Sequence, residues 1–209
     1  LEHTGGKSGW EVRAKRDGIV IKQIDIQPPI SNPEYIIDLV EKQISNKTKV
    51  IALPHILSVP GDILPIKKIC EIARKKGIIT VIDGAQAIGH IKVDVKDLGC
   101  DAYFTSPHKW LLAPAGSAVL YISEELAPKV WPVMPSGAWD NHEDEGFRFT
   151  QRGTENSALM VGFEAAVDFH NLIGNQRIID RVKFLGDYLR TKLQESDIFD
   201  IHSSLYPEM

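Results

Sequence analysis

Two short segments of this 209-residue chain place reactive side chains at the ends of apolar runs. In Ile78-Ile79-Thr80-Val81-Ile82-Asp83-Gly84-Ala85-Gln86 a carboxylate comes directly off five β-branched residues, and the following glycine lets the backbone turn. An Asp there is costly unless a cation pairs with it or it caps the next helix. In Ala102-Tyr103-Phe104-Thr105-Ser106-Pro107-His108-Lys109-Trp110 a hydroxyl, an imidazole and an ammonium fall within four positions. Lys109 is followed by Trp110, Leu111 and Leu112, whose preference for burial would draw it into apolar surroundings. Complete burial lowers a lysine pKa by up to ~3–5 units, and an uncharged amine is what Schiff-base chemistry with a carbonyl needs.

The two segments together are more specific than either alone. A cationic heteroaromatic ring held between an Asp and a Schiff-base Lys is the arrangement pyridoxal phosphate requires, with Asp on the pyridinium nitrogen and Lys on the aldehyde. Asp83 and Lys109 are 26 residues apart, room for one helix and one strand between neighbouring strand ends.

The elements that must position them follow from periodicity. Residues 19–26, 49–56, 78–83, 102–105 and 116–122 read as short buried strands rich in Val and Ile. Residues 33–45 and 65–76 read as helices, each with Pro in a first turn, the second stopped by Gly77 after Lys75 and Lys76. Strand and helix alternating in this way predict βαβ units and a mostly parallel α/β sheet, in which ligands bind at the carboxyl ends of the strands. Residues 106–115 are too short a connection for a parallel crossover, so the final strand is read as antiparallel. Residues 131–146 read as a long loop, and a helical pattern runs from Ser157 into the 190s, interrupted at Gly174.

Composition narrows the function classes. Twenty-four Lys and Arg against twenty-eight Asp and Glu give a net charge of −4, with no basic block, which argues against a nucleic-acid partner. At 43% hydrophobic the chain can bury a core, yet no run approaches a membrane span. Two cysteines, Cys70 and Cys100, read as core residues and not as a disulfide scaffold, which makes a reducing, cytoplasmic setting the default. His55, His90, His142, His170 and His202 have no metal-ligand spacing and read as structural or surface residues, so no metal is expected. No dinucleotide fingerprint, Walker loop or nucleophile elbow is present.

Asp83-Gly84-Ala85-Gln86 and Ser106-x-His108-Lys109-Trp110 resemble the cofactor motifs of the class V aminotransferase family of pyridoxal-phosphate enzymes. The likeness extends to Glu2-His3, to the strand and loop of residues 55–65, to Arg152-Gly153-Thr154-Glu155-Asn156, and, over residues 163–181, to the isopenicillin N epimerase-like branch. This resemblance implies the aspartate-aminotransferase-like fold (fold type I). Residues 1–165 would form part of the cofactor-binding large domain, with a mostly parallel sheet, and 166–209 the beginning of a small α+β domain. It implies that Lys109 forms the Schiff base and moves protons at the substrate α-carbon, that Asp83 holds the pyridinium, and that Gln86 hydrogen-bonds the phenolate oxygen. It further implies that His3 stacks on the ring, that Ser106 and His108 contact the phosphate, and that Thr154 does so across a homodimer interface. Ser58 stands where the family's cysteine desulfurases commonly have Asn and is assigned no ring contact. The implied activity is epimerase or transaminase chemistry on an amino-acid-type substrate, with a cysteine desulfurase or selenocysteine lyase, or a non-catalytic scaffold, as alternatives. Family chains are roughly twice this length, and the absence of an initial Met leads to the expectation of a fragment.

Overall fold

A computed structural model describes residues 2–151 and 153–209. Its centre is a four-stranded sheet in the order β1 (Val50–Pro54), β2 (Ile79–Asp83), β3 (Ala102–Thr105), β4 (Val119–Ile122). The first three strands are parallel and β4 is antiparallel to β3, as the short connection before it requires. In the register, Pro54 lies opposite Asp83 and Asp83 opposite Phe104, so three strands end level along one edge.

Helices α1 (Thr4–Asp17), α2 (Pro33–Gln43), α3 (Ile66–Lys75) and the short α4 (Val95–Leu98) precede β3 or alternate with the strands. The α3 helix buries the stripe Ile66, Ile69, Cys70 and Ala73 against the sheet and ends before Gly77, which adopts a left-handed φ of 65°. In α2, Asn32 caps the start by accepting the Tyr35 N–H at 2.9 Å, with Pro33 in the first turn, while Ile36 and Val40 enter the core. The core gathers these residues with Ile51, Leu57, Ile82, Cys100 and Tyr103.

Residues 19–26 form no strand and pair with no neighbouring strand among the described residues, Val20 lying 86% exposed while Ile24 and Ile26 rest against the core. β-Branched composition favours extended backbone, but a ladder needs a second strand within reach. The reverse miss is α1, which buries no residue and has no apolar stripe to announce it. It is held by its ends and flanks: His3 Nδ1 accepts the Gly5 N–H, Gly18 closes it with φ 69°, and Lys7–Glu11 and Arg13–Asp17 pair along its surface.

After β4 a 3-10 turn (Ala127–Lys129) and α5 (Glu145–Thr150) bracket the Trp-containing segment. Arg148, 3% exposed, ties them together: its guanidinium donates to the carbonyls of Ala127 (2.6 Å) and Val130 (3.0 Å) and to Glu145 (2.6 Å). The helical pattern beyond resolves into α6 (Ser157–Ile173) and α7 (Asn175–Gln194), broken at Gly174 with φ 94°. The α6 helix continues without a break through residues 165 and 166. The last residues fold back on the first half, where the Ser204 N–H meets Asp62 Oδ1 at 2.7 Å and the Met209 carbonyl accepts the Ile63 N–H at 2.9 Å. No helix among the described residues is long and apolar enough to cross a membrane.

Beside the level strand ends, His55 is buried with Nδ1 2.9 Å from the Tyr103 hydroxyl. Its burial lowers the imidazole pKa to about 4. A group that refuses its proton in the folded state contributes stability that is complete above the unfolded value of about 6.5 and is lost as pH falls toward 4. In urea unfolding, wild type should therefore lose up to about 3 kcal/mol between pH 7.5 and 4 relative to His55→Gln. Parallel losses in the two proteins would show that His55 does not set the acid limit.

Candidate active site

The level ends of β1, β2 and β3 create an edge from which three turns leave the sheet. The Asp83 side chain stands at its middle, half-buried, with Oδ1 accepting the Ala85 N–H at 2.8 Å. Burial raises its pKa above the usual carboxylate value, while the Ala85 N–H and the charges of Lys109 and His3 pull the other way. Among the described residues it forms no ion pair. The start of α1 leans over it: a Cβ on Gly6 would lie 3.0 Å from Asp83 Oδ2 and 2.8 Å from Glu2 Oε1. Glu2 is thereby pushed up by its own burial and then by the Asp83 charge.

Gly84 follows because nothing larger fits, a Cβ there falling inside the Tyr103 ring. Thr105 Oγ1 donates to the Gly84 carbonyl at 3.0 Å, so β3 clamps the turn that carries Asp83 and Gln86. The turn of Ser106 to Ala113 holds Lys109, whose N–H bonds the Ser106 carbonyl at 3.1 Å. Gly89, at φ 78°, brings the two turns together: a Cβ on it would lie 2.7 Å from Leu111 N and Trp110 C. Across this contact the Trp110 indole N–H donates to Gln86 Oε1 at 3.0 Å and its ring stacks on His90, centroids 3.9 Å apart.

The structure thus brings Asp83, Gln86 and Lys109 to one edge, with His3 near enough for its charge to act on Asp83. His3 is engaged as the N-cap of α1. Ser106 and His108 share the Lys109 turn, the first half-buried and the second exposed. Thr154 is exposed before α6, whose cap is Asn156 instead; no hydrogen bond among the described residues joins Thr154 to the edge, and Arg152 lies outside the described residues. The expected enclosure of Lys109 is corrected: Leu111 is buried, but Trp110 is 41% and Leu112 64% exposed, leaving the lysine half-buried. The reason is geometric, since the turn places alternate side chains outward and Leu112 takes a left-handed φ of 62°. Gly89 escaped the sequence reading, which named Glu2, His90 and Trp110 but gave them no part in supporting the edge; a trace lay in the short spacing of Gly84, Gln86, Gly89 and His90 in one turn.

The donor set fits an aromatic ligand with a protonated ring nitrogen, an anionic ring oxygen, an aldehyde and a phosphate. Asp83 offers a carboxylate without a cation, Gln86 an amide, Lys109 an amine, and Ser106 with His108 a hydroxyl and an imidazole. No grouping of metal-ligating side chains exists among the described residues.

A family model described as aminotransferase class-V matches residues 1–206. The chain belongs to this family. It is 33% identical over 201 residues to the isopenicillin N epimerase of Amycolatopsis lactamdurans, covering 88% of this chain and 50% of that protein. It is 35% identical over 202 residues to a probable cysteine desulfurase of Halalkalibacterium halodurans, covering 93% of this chain and 49% of that protein. Among solved structures, the apo cysteine desulfurase of Thermococcus onnurineus NA1 superimposes with a TM-score of 0.78 at 28% identity, over 93% of this chain and 49% of that one. The chain spans about half the length of the curated relatives it matches.

Because burial raises the Asp83 pKa, the ionised carboxylate opposes folding at neutral pH, and that penalty fades as pH falls through its folded value. Asp83→Asn keeps the acceptor for Ala85 and should raise the thermal midpoint of the cofactor-free protein by ~2–4 °C at pH 7.5. The gap should close in acid. A lower midpoint for the variant at neutral pH would mean that the charge is compensated.

Proposed function

We propose that this chain forms the cofactor-binding part of a pyridoxal-phosphate-dependent enzyme acting at the α-carbon of an amino-acid-type substrate. The observation that carries the reading is the half-buried carboxylate of Asp83, without an ion pair among the described residues, at a strand end that feels the Lys109 charge. When bound, the cofactor supplies an electron sink for negative charge at the substrate α-carbon.

The residues divide the work. Asp83 keeps a proton on the ring nitrogen, and that cation offsets the cost of its burial. Gln86 donates to the ring oxygen, His3 covers the ring, and Ser106 and His108 bind phosphate. Lys109 would hold the aldehyde, and its amine would serve as the base for the proton of the substrate α-carbon. Residues 1–165 would belong to the large domain and 166–209 to the start of the small one, with a homodimer in which Thr154 reaches the neighbouring site. Two buried free cysteines suit a reducing, cytoplasmic setting.

Among the reactions open to such a site, epimerisation is favoured by the resemblance over residues 163–181 and by the 33% identity to isopenicillin N epimerase. The 35% identity to a probable cysteine desulfurase supports sulfur removal as the second reading. Neither Cys70 nor Cys100 would accept the sulfur: both are buried, and burial pushes both thiols up, Cys100 to about 12.

The test is Lys109→Ala in the whole protein. The near-visible absorption that pyridoxal phosphate acquires on wild type should vanish while far-ultraviolet circular dichroism is unchanged. A retained band would sink the assignment. In deuterated buffer, wild type should exchange the α-proton of amino-acid substrates, and sulfide release from cysteine would select the second reading.

A further inference from the structure

The geometry points to Trp110 as a positioning residue that, through its indole N–H, sets which end of the Gln86 amide faces the cofactor. This inference rests on the pyridoxal-phosphate reading of the site.

An indole N–H can only donate, so the atom of Gln86 that meets it at 3.0 Å must be the carbonyl oxygen. Both Nε2 protons then point away from the indole, and no hydrogen bond among the described residues uses them. A ring oxygen carrying negative charge is attracted by that end of the amide and repelled by the other. Trp110 therefore decides the sign of the Gln86 contact and not merely its strength.

The pairing is not forced by burial. With Trp110 41% exposed, water could satisfy its N–H. Instead the indole is held on purpose-shaped support: its ring stacks on His90 at an interplanar angle of 22°, and His90 Nδ1 lies 3.1 Å from the Gln86 backbone carbonyl. Gly89 lets the Trp110–Leu111 backbone approach this turn to a distance no side chain would permit. The turn bearing Gln86 and the turn bearing Lys109 are thus registered by one stack, one glycine contact and one hydrogen bond.

Trp110→Phe keeps a stacking ring and removes only the donor. In the whole protein the Kd for pyridoxal phosphate, read by equilibrium dialysis, should rise about 5–10-fold, the worth of one oriented hydrogen bond. In a Gln86→Ala background the same change should have no further effect. An equal loss in both backgrounds would overturn the inference, because packing and not the amide would then be responsible. A second readout needs no cofactor: in the cofactor-free protein, Trp110→Phe should shift the Gln86 side-chain amide NMR signals and increase their mobility. Unchanged signals would overturn the inference as well. Wild type that binds no cofactor would overturn the reading of the site, while the amide signals would still decide the role of Trp110.

Discussion

A carboxylate at the end of a buried strand is the constraint around which this edge of the molecule is built. Asp83 ends a strand that carries Thr80 and Ile82 into the interior, and the parallel register leaves it level with Pro54 and Phe104, flanked by backbone on both sides. One N–H from Ala85 satisfies one oxygen. The remaining charge is felt by Lys109 and His3 from a distance and opposed by Glu2. A direct Asp83–Lys109 ion pair would neutralise both groups and close the edge. Their separation leaves each able to engage a different end of the same ligand.

Holding the two turns in this relation takes close backbone approach, and glycine supplies it at Gly84 against the Tyr103 ring and at Gly89 against Leu111. Beneath them, His55 and Tyr103 form a buried neutral pair, and Thr80 with Asp101 cross-links β2 to β3 through bonds of 2.7 and 2.9 Å. The residue that follows the lysine turn is met by α6, where Gly162 admits Pro114 so closely that a Cβ would lie 2.5 Å from its ring. The second half of the chain therefore bears on the backbone leaving the Lys109 turn.

The parallel sheet, its antiparallel last strand, α3 with its Gly77 stop and the break at Gly174 were legible in the sequence because each rests on local physics: periodic burial, connection length, or a left-handed backbone. Residues 19–26 misled for the opposite reason, since strand identity depends on a partner that composition does not reveal. The α1 helix was invisible because caps and surface ion pairs, not an apolar face, hold it. Of the edge, Asp83 and Lys109 were legible from residue type at strand ends, and Gln86 from the family resemblance. The supporting contacts of Gly89, His90 and Trp110 were not, because they arise between turns 24 residues apart in the Gln86–Trp110 bond. The role expected of Thr154 would lie across a subunit boundary and so leaves no local sign in the sequence around it.

The unfavourable burial of Asp83 and the affinity it would lend to a cationic ring are one free energy seen from two sides. A site whose carboxylate were fully satisfied by the protein would gain little from a pyridinium, since a new ion pair would have to displace an existing one. Leaving the group under-compensated makes the folded protein less stable without ligand and more responsive to it, because whatever binds the native state alone adds its binding free energy to stability. The same logic explains why the amine of Lys109 comes from a different turn than the carboxylate of Asp83 and the amide of Gln86. Each must stay unpaired with the others yet fixed in place, and backbone packing through glycine fixes position without consuming the polar groups that the ligand needs.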